Sequence, residues 1–124
     1  MAGASSITFW GTGTPRREFL HVDDLADACV FLLKHYSDEP HVNVGSGSDV
    51  TIAELAELVA HAVGFGGAVE RDPGKPDGTP RKLMDSGRLA AMGWSPQIGL
   101  AEGIADAYRH FLQGEGRGLA ASLR

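Results

Sequence analysis

Short β-rich runs and apolar stripes at helical spacing alternate along this chain, with clusters of glycine and proline between them. "ITFW" (7 to 10) ends in the loop from Gly11 to Pro15, and "EFLHV" then leads into Leu25, Ala28, Cys29, Leu32 and Leu33. That stripe predicts an amphipathic helix capped at Asp23 and running to about Tyr36. "HVNV" (41 to 44) reads as a second strand, "GSGSD" as a loop, and Thr51 with Glu54 as a capping box that opens a helix from Ile52 to about Val63. "GFGG" stops that helix, and "AVER" (68 to 71) reads as another short strand. The stretch from Asp72 to Pro80, "DPGKPDGTP", holds three prolines and two glycines, so it cannot be regular structure and is expected to form an ordered loop. "RKLMD" can add a strand, Ser86 caps a short helix ending near Gly93, and Leu100, Ile104, Ala107, Tyr108, Phe111 and Leu112 stripe a final helix. Such alternation predicts an α/β fold with a small sheet, and the segment beyond Gly114 is expected to fray for want of anything to bury.

At 124 residues the chain is long enough for one ordinary core without disulfides or a structural metal. No apolar run approaches the roughly 18 residues of a bilayer span, and "MAGASS" lacks a basic region followed by an apolar one. A soluble chain without a secretion signal, cytoplasmic by default, is the expectation. Cys29 has no second cysteine to pair with and is expected to be a small buried apolar residue. A net charge of −5 argues against nucleic acid and against an anionic membrane surface as partners. Any anion site must then be local, and the cations do cluster, at Arg16 with Arg17 and at Arg81 with Lys82.

Other chemistries lack their residues. In "HVNVGSGSDV" two glycines follow a strand-like run and precede a helix, but Val50 stands where a dinucleotide fingerprint has its third glycine. A turn requiring positive φ explains Gly45 and Gly47 as well. His21, Asp23 and Asp24 are close in sequence, and helix capping explains them without a metal. Ser46 and Ser48 have no nucleophile-elbow context, and Tyr36 and Tyr108 are followed four residues later by Pro40 and Leu112, so a tyrosine-lysine acid/base pair is absent. What remains is anion recognition by the two basic clusters, each beside constrained backbone: the arginine fork suits two phosphate oxygens and lysine supplies a point charge. The alternative is a pair of solvated charge clusters. Trp10 can stack on a sugar or base or cap the core, and Asp77 can accept from a ligand or make a turn before Gly78.

"FWGTGTPRREFLHVDDLADA", "HVNVGSGSDVTIAELAELVA" and "KPDGTPRKLMD", followed by "MGW" and a closing amphipathic helix, resemble the carboxy-terminal part of the GDP-L-fucose synthases. These are extended short-chain dehydrogenase/reductases of the NAD-dependent epimerase/dehydratase kind. "KPDGTPRK" is the most specific piece, and the resemblance runs from about Ile7 to Leu112. It implies a substrate-binding portion over 7–112, with 23–44 as the last helix and strand of a nucleotide-binding Rossmann sheet, and flexible termini at 1–6 and 114–124. The family epimerises GDP-4-keto-6-deoxy-mannose and reduces it with NADPH, using a cofactor loop and acid/base residues that this chain lacks. The resemblance therefore implies no cofactor in this chain, no catalytic or metal-binding residues, and GDP-sugar contacts at Trp10, Arg17, Asp77 and Lys82. Arg17 and Lys82 would meet the diphosphate, while Arg16 falls where members of the family vary. Some relatives carry a basic residue at the position of Ala68; here that interaction is absent or is supplied by Arg71. An inactive fragment, a non-catalytic nucleotide-sugar binding module, and a self-associating or half-pairing interaction fragment are the three alternatives this leaves. A homodimer, or pairing with a missing amino-terminal part, is expected.

Overall fold

The computed structural model describes residues 4–114. Nine elements follow one another: β1 (Ser6–Trp10), β2 (Arg16–Arg17), α1 (Val22–His35), β3 (Val50–Thr51), α2 (Ile52–Val63), β4 (Ala68–Asp72), β5 (Arg81–Lys82), α3 (Gly87–Ala91) and α4 (Leu100–Leu112). The α/β class holds, as two small sheets with helices packed about them. β1 pairs with β4 in parallel, Trp10 opposite Asp72 at the end of the ladder. β2 lies between β3, to which it is antiparallel, and β5, to which it is parallel.

Two segments far apart in sequence thus run side by side in the same direction. After the β1–β4 ladder the Gly11 N–H donates to the Asp72 carbonyl (2.8 Å), the Thr12 N–H to Asp77 Oδ1 (2.8 Å), and the Arg16 N–H to the Pro80 carbonyl (2.8 Å), before β2 and β5 pair. Asp72, expected in the loop, is the last residue of β4, and the proline-rich stretch 73–80 is ordered by these contacts although it has no regular structure of its own. Parallel neighbours cannot be joined by a hairpin, so the chain between them must cross over. It does so through α1 and α2, and α2 packs on α4.

The helix α2 begins where the capping box places it: Glu54 N–H donates to Thr51 Oγ1 (3.1 Å) and Thr51 N–H to Glu54 Oε2 (2.8 Å). Gly64 ends it in the left-handed region at φ +71°. Ala28, Leu89 and Trp94 form the buried cluster, with Leu20, Phe31, Leu32, Val42, Val44 and Met92 packed on it.

Several expectations are corrected. α1 is capped by His21 rather than Asp23, because His21 Nδ1 reaches the Asp23 N–H (3.0 Å) and the helix starts correspondingly earlier. Cys29 is exposed, as are Leu25 and Leu33, because only the side of α1 that carries Ala28 and the half-buried Phe31 and Leu32 meets the core. The run 41–44 joins no ladder: a strand needs a neighbour for its N–H and C=O groups, and among the described residues no strand lies beside it. Val42 and Val44 still pack on the core. Ser86 precedes α3 but makes no capping bond with its side chain; Asp85 Oδ1 takes the Gly87 N–H instead (2.9 Å). Of "RKLMD" only Arg81–Lys82 is strand, and on α4 Ala107, Phe111 and Leu112 are exposed. Ser6 already belongs to β1, while 1–3 and 115–124, expected to be flexible, lie outside the described residues.

Leu89, 1% exposed in the cluster, is the position where lost volume cannot be refilled. Leu89→Ala is expected to cost about 2–5 kcal/mol in urea unfolding, against less than about 0.5 kcal/mol for Leu33→Ala on the open side of α1.

Candidate functional site

Successive side chains of a strand point to opposite faces, and register partners in parallel strands point the same way. Arg16 is the register partner of Arg81, and Arg17 of Lys82. The four cations are therefore sorted into two pairs on two faces. On one face Asp49 takes both guanidinium groups: Arg16 Nε donates to Oδ1 (3.0 Å) and Arg81 Nε to Oδ2 (2.6 Å). Its side chain is 5% exposed. The Arg81 guanidinium, and after it Arg16, holds the Asp49 carboxyl below its ordinary range against the opposing effect of burial.

Arg17 and Lys82 share the other face. The Arg17 Nη1 donates to the carbonyls of Arg16 (2.7 Å) and Thr79 (2.6 Å), which pins the guanidinium over the loop. Gly78 makes room for it, since a Cβ there would stand 2.9 Å from Nη2. Nε and Nη2 of Arg17 and the Lys82 ammonium have no partner among the described residues. Two adjacent cations without a carboxylate between them, on pinned backbone, can accept a dianionic group.

Trp10 and Asp77 stand further back along the same pair of segments. Trp10 is 69% exposed at the end of β1, with the Lys75 ammonium 5.3 Å above its ring. Asp77 has a structural role, since its Oδ1 accepts from the Thr12 N–H (2.8 Å) and its Oδ2 from the Thr12 hydroxyl (2.7 Å). Gly11, at φ +88°, is pressed so close to that carboxylate that a Cβ would collide with it. Asp77 thus orders the loop with the same oxygens it would offer a ligand. Ala68 lies at the other end of β4, opposite Ser6, whereas the exposed Arg71 is next to Asp72 at the site end.

Two other arrangements do not become sites. His21, Asp23 and Asp106 hold ligand atoms close together, and Asp106 also meets Arg109. His21 Nδ1 accepts the Asp23 amide, so Nε2 carries the ring proton and donates to Asp106 Oδ2 (3.0 Å). Neither nitrogen is open to a cation, and the Arg109 guanidinium, 2.6 Å from Asp106 Oδ1, repels one. Arg109 first, then His21, holds the Asp106 carboxyl low. The Gly45–Gly47 turn is equally unsuited to a dinucleotide: Gly47 has φ +82°, but the N-terminus of α2 beyond it is closed by its own capping box, where Glu54 puts a carboxylate at the place a pyrophosphate would need.

Residues 1–45 match the family model described as the NAD dependent epimerase/dehydratase family. A curated relative, GDP-L-fucose synthase 1 of Arabidopsis thaliana, is 60% identical over 111 residues, 90% of this chain and 34% of that protein. The chain is similar to the GDP-L-fucose synthases along 90% of its length. Among solved structures, a GDP-6-OMe-4-keto-L-xylo-heptose reductase from C. jejuni is 35% identical with a TM-score of 0.80, over 90% of this chain and 35% of that one. A GDP-mannoheptose C4 reductase from Campylobacter jejuni with NADP bound is 36% identical with a TM-score of 0.75, over 86% and 35% of the two chains. The chain spans about a third of the curated relatives it matches and corresponds to their C-terminal part. In this chain Asp49, Thr12, Thr79 and Glu18 are the supporting residues that sequence reasoning missed; Glu18 Oε2 accepts the Gly47 N–H (2.8 Å) across 29 positions. Nothing local marks them, because each acts on a residue distant in the chain.

Asp49 and Asp106 ionise at lower pH in the fold than in the unfolded chain, so the stability they contribute is full above the ordinary aspartate range. It is lost as pH falls through the folded value. Unfolding midpoints followed by circular dichroism are expected to drop below about pH 4, with a shallower fall in Asp49→Asn and Asp106→Asn.

Proposed function

We propose that this chain is the GDP-sugar recognition part of an NADPH-dependent enzyme of the GDP-L-fucose synthase type, one that epimerises and reduces GDP-4-keto-6-deoxy-mannose. The observation that carries the reading is the pairing of Arg17 with Lys82 across β2 and β5, which puts both cations on one face. A diphosphate bridges two such groups, the arginine fork taking two oxygens and the lysine a third. Trp10 offers an exposed indole to the sugar or base, and Asp77 holds the loop between them and adds a lone pair where a ligand hydroxyl reaches it. The name of the 60% identical Arabidopsis relative supports the substrate class.

In this reading 7–112 is the substrate-binding portion, and 23–44 forms the edge of a nucleotide-binding unit whose remaining sheet covers the apolar side of α1. Leu25, Cys29, Val30 and Leu33 are exposed there. That open side also suits a homodimer or pairing with the remaining part. NADPH, which would supply hydride, belongs to the portion of the relatives that this chain does not span. A Campylobacter jejuni relative with NADP bound supports NADP(H) as the cofactor of the intact enzyme. Alone, the chain binds ground-state charge but has no group to move a hydride or a proton at the sugar.

Calorimetric titration of the chain with GDP is expected to give saturable heat at millimolar ligand, weakening as salt is raised. Lys82→Ala is expected to weaken it about tenfold; an unchanged isotherm contradicts the assignment. With NADPH and GDP-4-keto-6-deoxy-mannose added, chromatography is expected to show no GDP-fucose.

A further inference from the structure

We infer that Asp49 is a positioning residue for the Arg17–Lys82 pair, acting from the opposite face of the sheet without touching the ligand; this rests on the diphosphate reading above. Strands β2, β3 and β5 have two residues each, and ladders so short do not hold their own register. The register is nonetheless what brings Lys82 beside Arg17. Two adjacent cations also repel each other, which pushes β5 away from β2.

Asp49 opposes both effects. It sits one residue before β3, and its backbone carbonyl accepts from Arg16 Nη2 (3.2 Å) while its carboxylate oxygens divide between Arg16 on β2 and Arg81 on β5. One anion therefore ties all three strands, and it does so at the register pair adjacent to Arg17 and Lys82. Bracing of this kind needs two equivalent acceptor oxygens. An asparagine would offer one oxygen and turn an NH2 toward the other guanidinium, donor against donor. The arginine adjacent to the substrate arginine is thus an anchor for the sheet, and Arg81 has the same relation to Lys82.

The experiment is calorimetric titration of the 124-residue chain with GDP and, separately, with guanosine, for wild type, Asp49→Asn, Asp49→Glu, Lys82→Ala and the Asp49→Asn/Lys82→Ala double variant, each first shown by circular dichroism to be folded. Asp49→Asn is expected to weaken GDP about fivefold to tenfold and leave guanosine unchanged, with Asp49→Glu recovering most of the loss. In the Lys82→Ala background the same change is expected to cost about twofold or less, since the residue it positions is gone. If Asp49→Asn does not fold, Arg81→Lys, which loosens the bridge without removing charge, carries the same comparison. An Asp49→Asn or Arg81→Lys variant that binds GDP as tightly as wild type, or loses GDP and guanosine equally, overturns the role of Asp49. A wild-type chain that binds no GDP overturns the diphosphate reading and this inference with it.

Discussion

Parallel pairing between two segments about sixty residues apart is the constraint on which the remaining structure depends. Because parallel strands need a crossover, α1 and α2 are forced to one excursion between β2 and β4, and the return brings the proline-rich loop alongside the Gly11 to Pro15 loop. Neither loop could hold its conformation alone. Together they satisfy each other's backbone groups: Gly11 bonds to Asp72, Thr12 to Asp77 and Arg16 to Pro80. Order in the loops is thus a consequence of the topology, and the site residues are carried on that order. Along this double segment the chain separates cations paired with a carboxylate from cations that are not. Arg16 and Arg81 are consumed by Asp49, while Arg17 and Lys82, one position on, keep donors open. Strand alternation makes the separation possible, since a shift of one residue reverses the face. The acidic net charge fits such an arrangement, because it confines anion attraction to the place where two cations have no carboxylate between them.

The two sides of α1 differ sharply. Ala28 is fully buried against Leu89 and Trp94, whereas Leu33 is 85% exposed on the opposite side. A stripe of apolar residues in the sequence says that a helix has something to bury, not that this chain supplies the other surface. The same holds for 41–44, whose alternating valines look like a strand and pack on the core but have no neighbour for a ladder among the described residues.

Elements set by interactions within a few residues were legible from the sequence: the capping box at Thr51 and Glu54, the glycine stop at Gly64, and the stripe of α4. The cap of α1 was less so, since an imidazole nitrogen at His21 does what the neighbouring aspartates are usually expected to do. The four ligand candidates could be named because arginine, lysine, tryptophan and aspartate each carry a recognisable chemistry. What Asp49, Thr12 and Thr79 do was hidden, as their partners lie 32 to 65 positions away.

Local chemistry, then, was determined by the sequence alone: which stretches turn, which coil into helices, and which side chains can hold an anion. Only the tertiary structure decided which cations keep donors open and which are tied to Asp49 across the sheet. Register between distant strands sets the face on which each side chain emerges, and that register comes from contacts no short stretch of sequence contains.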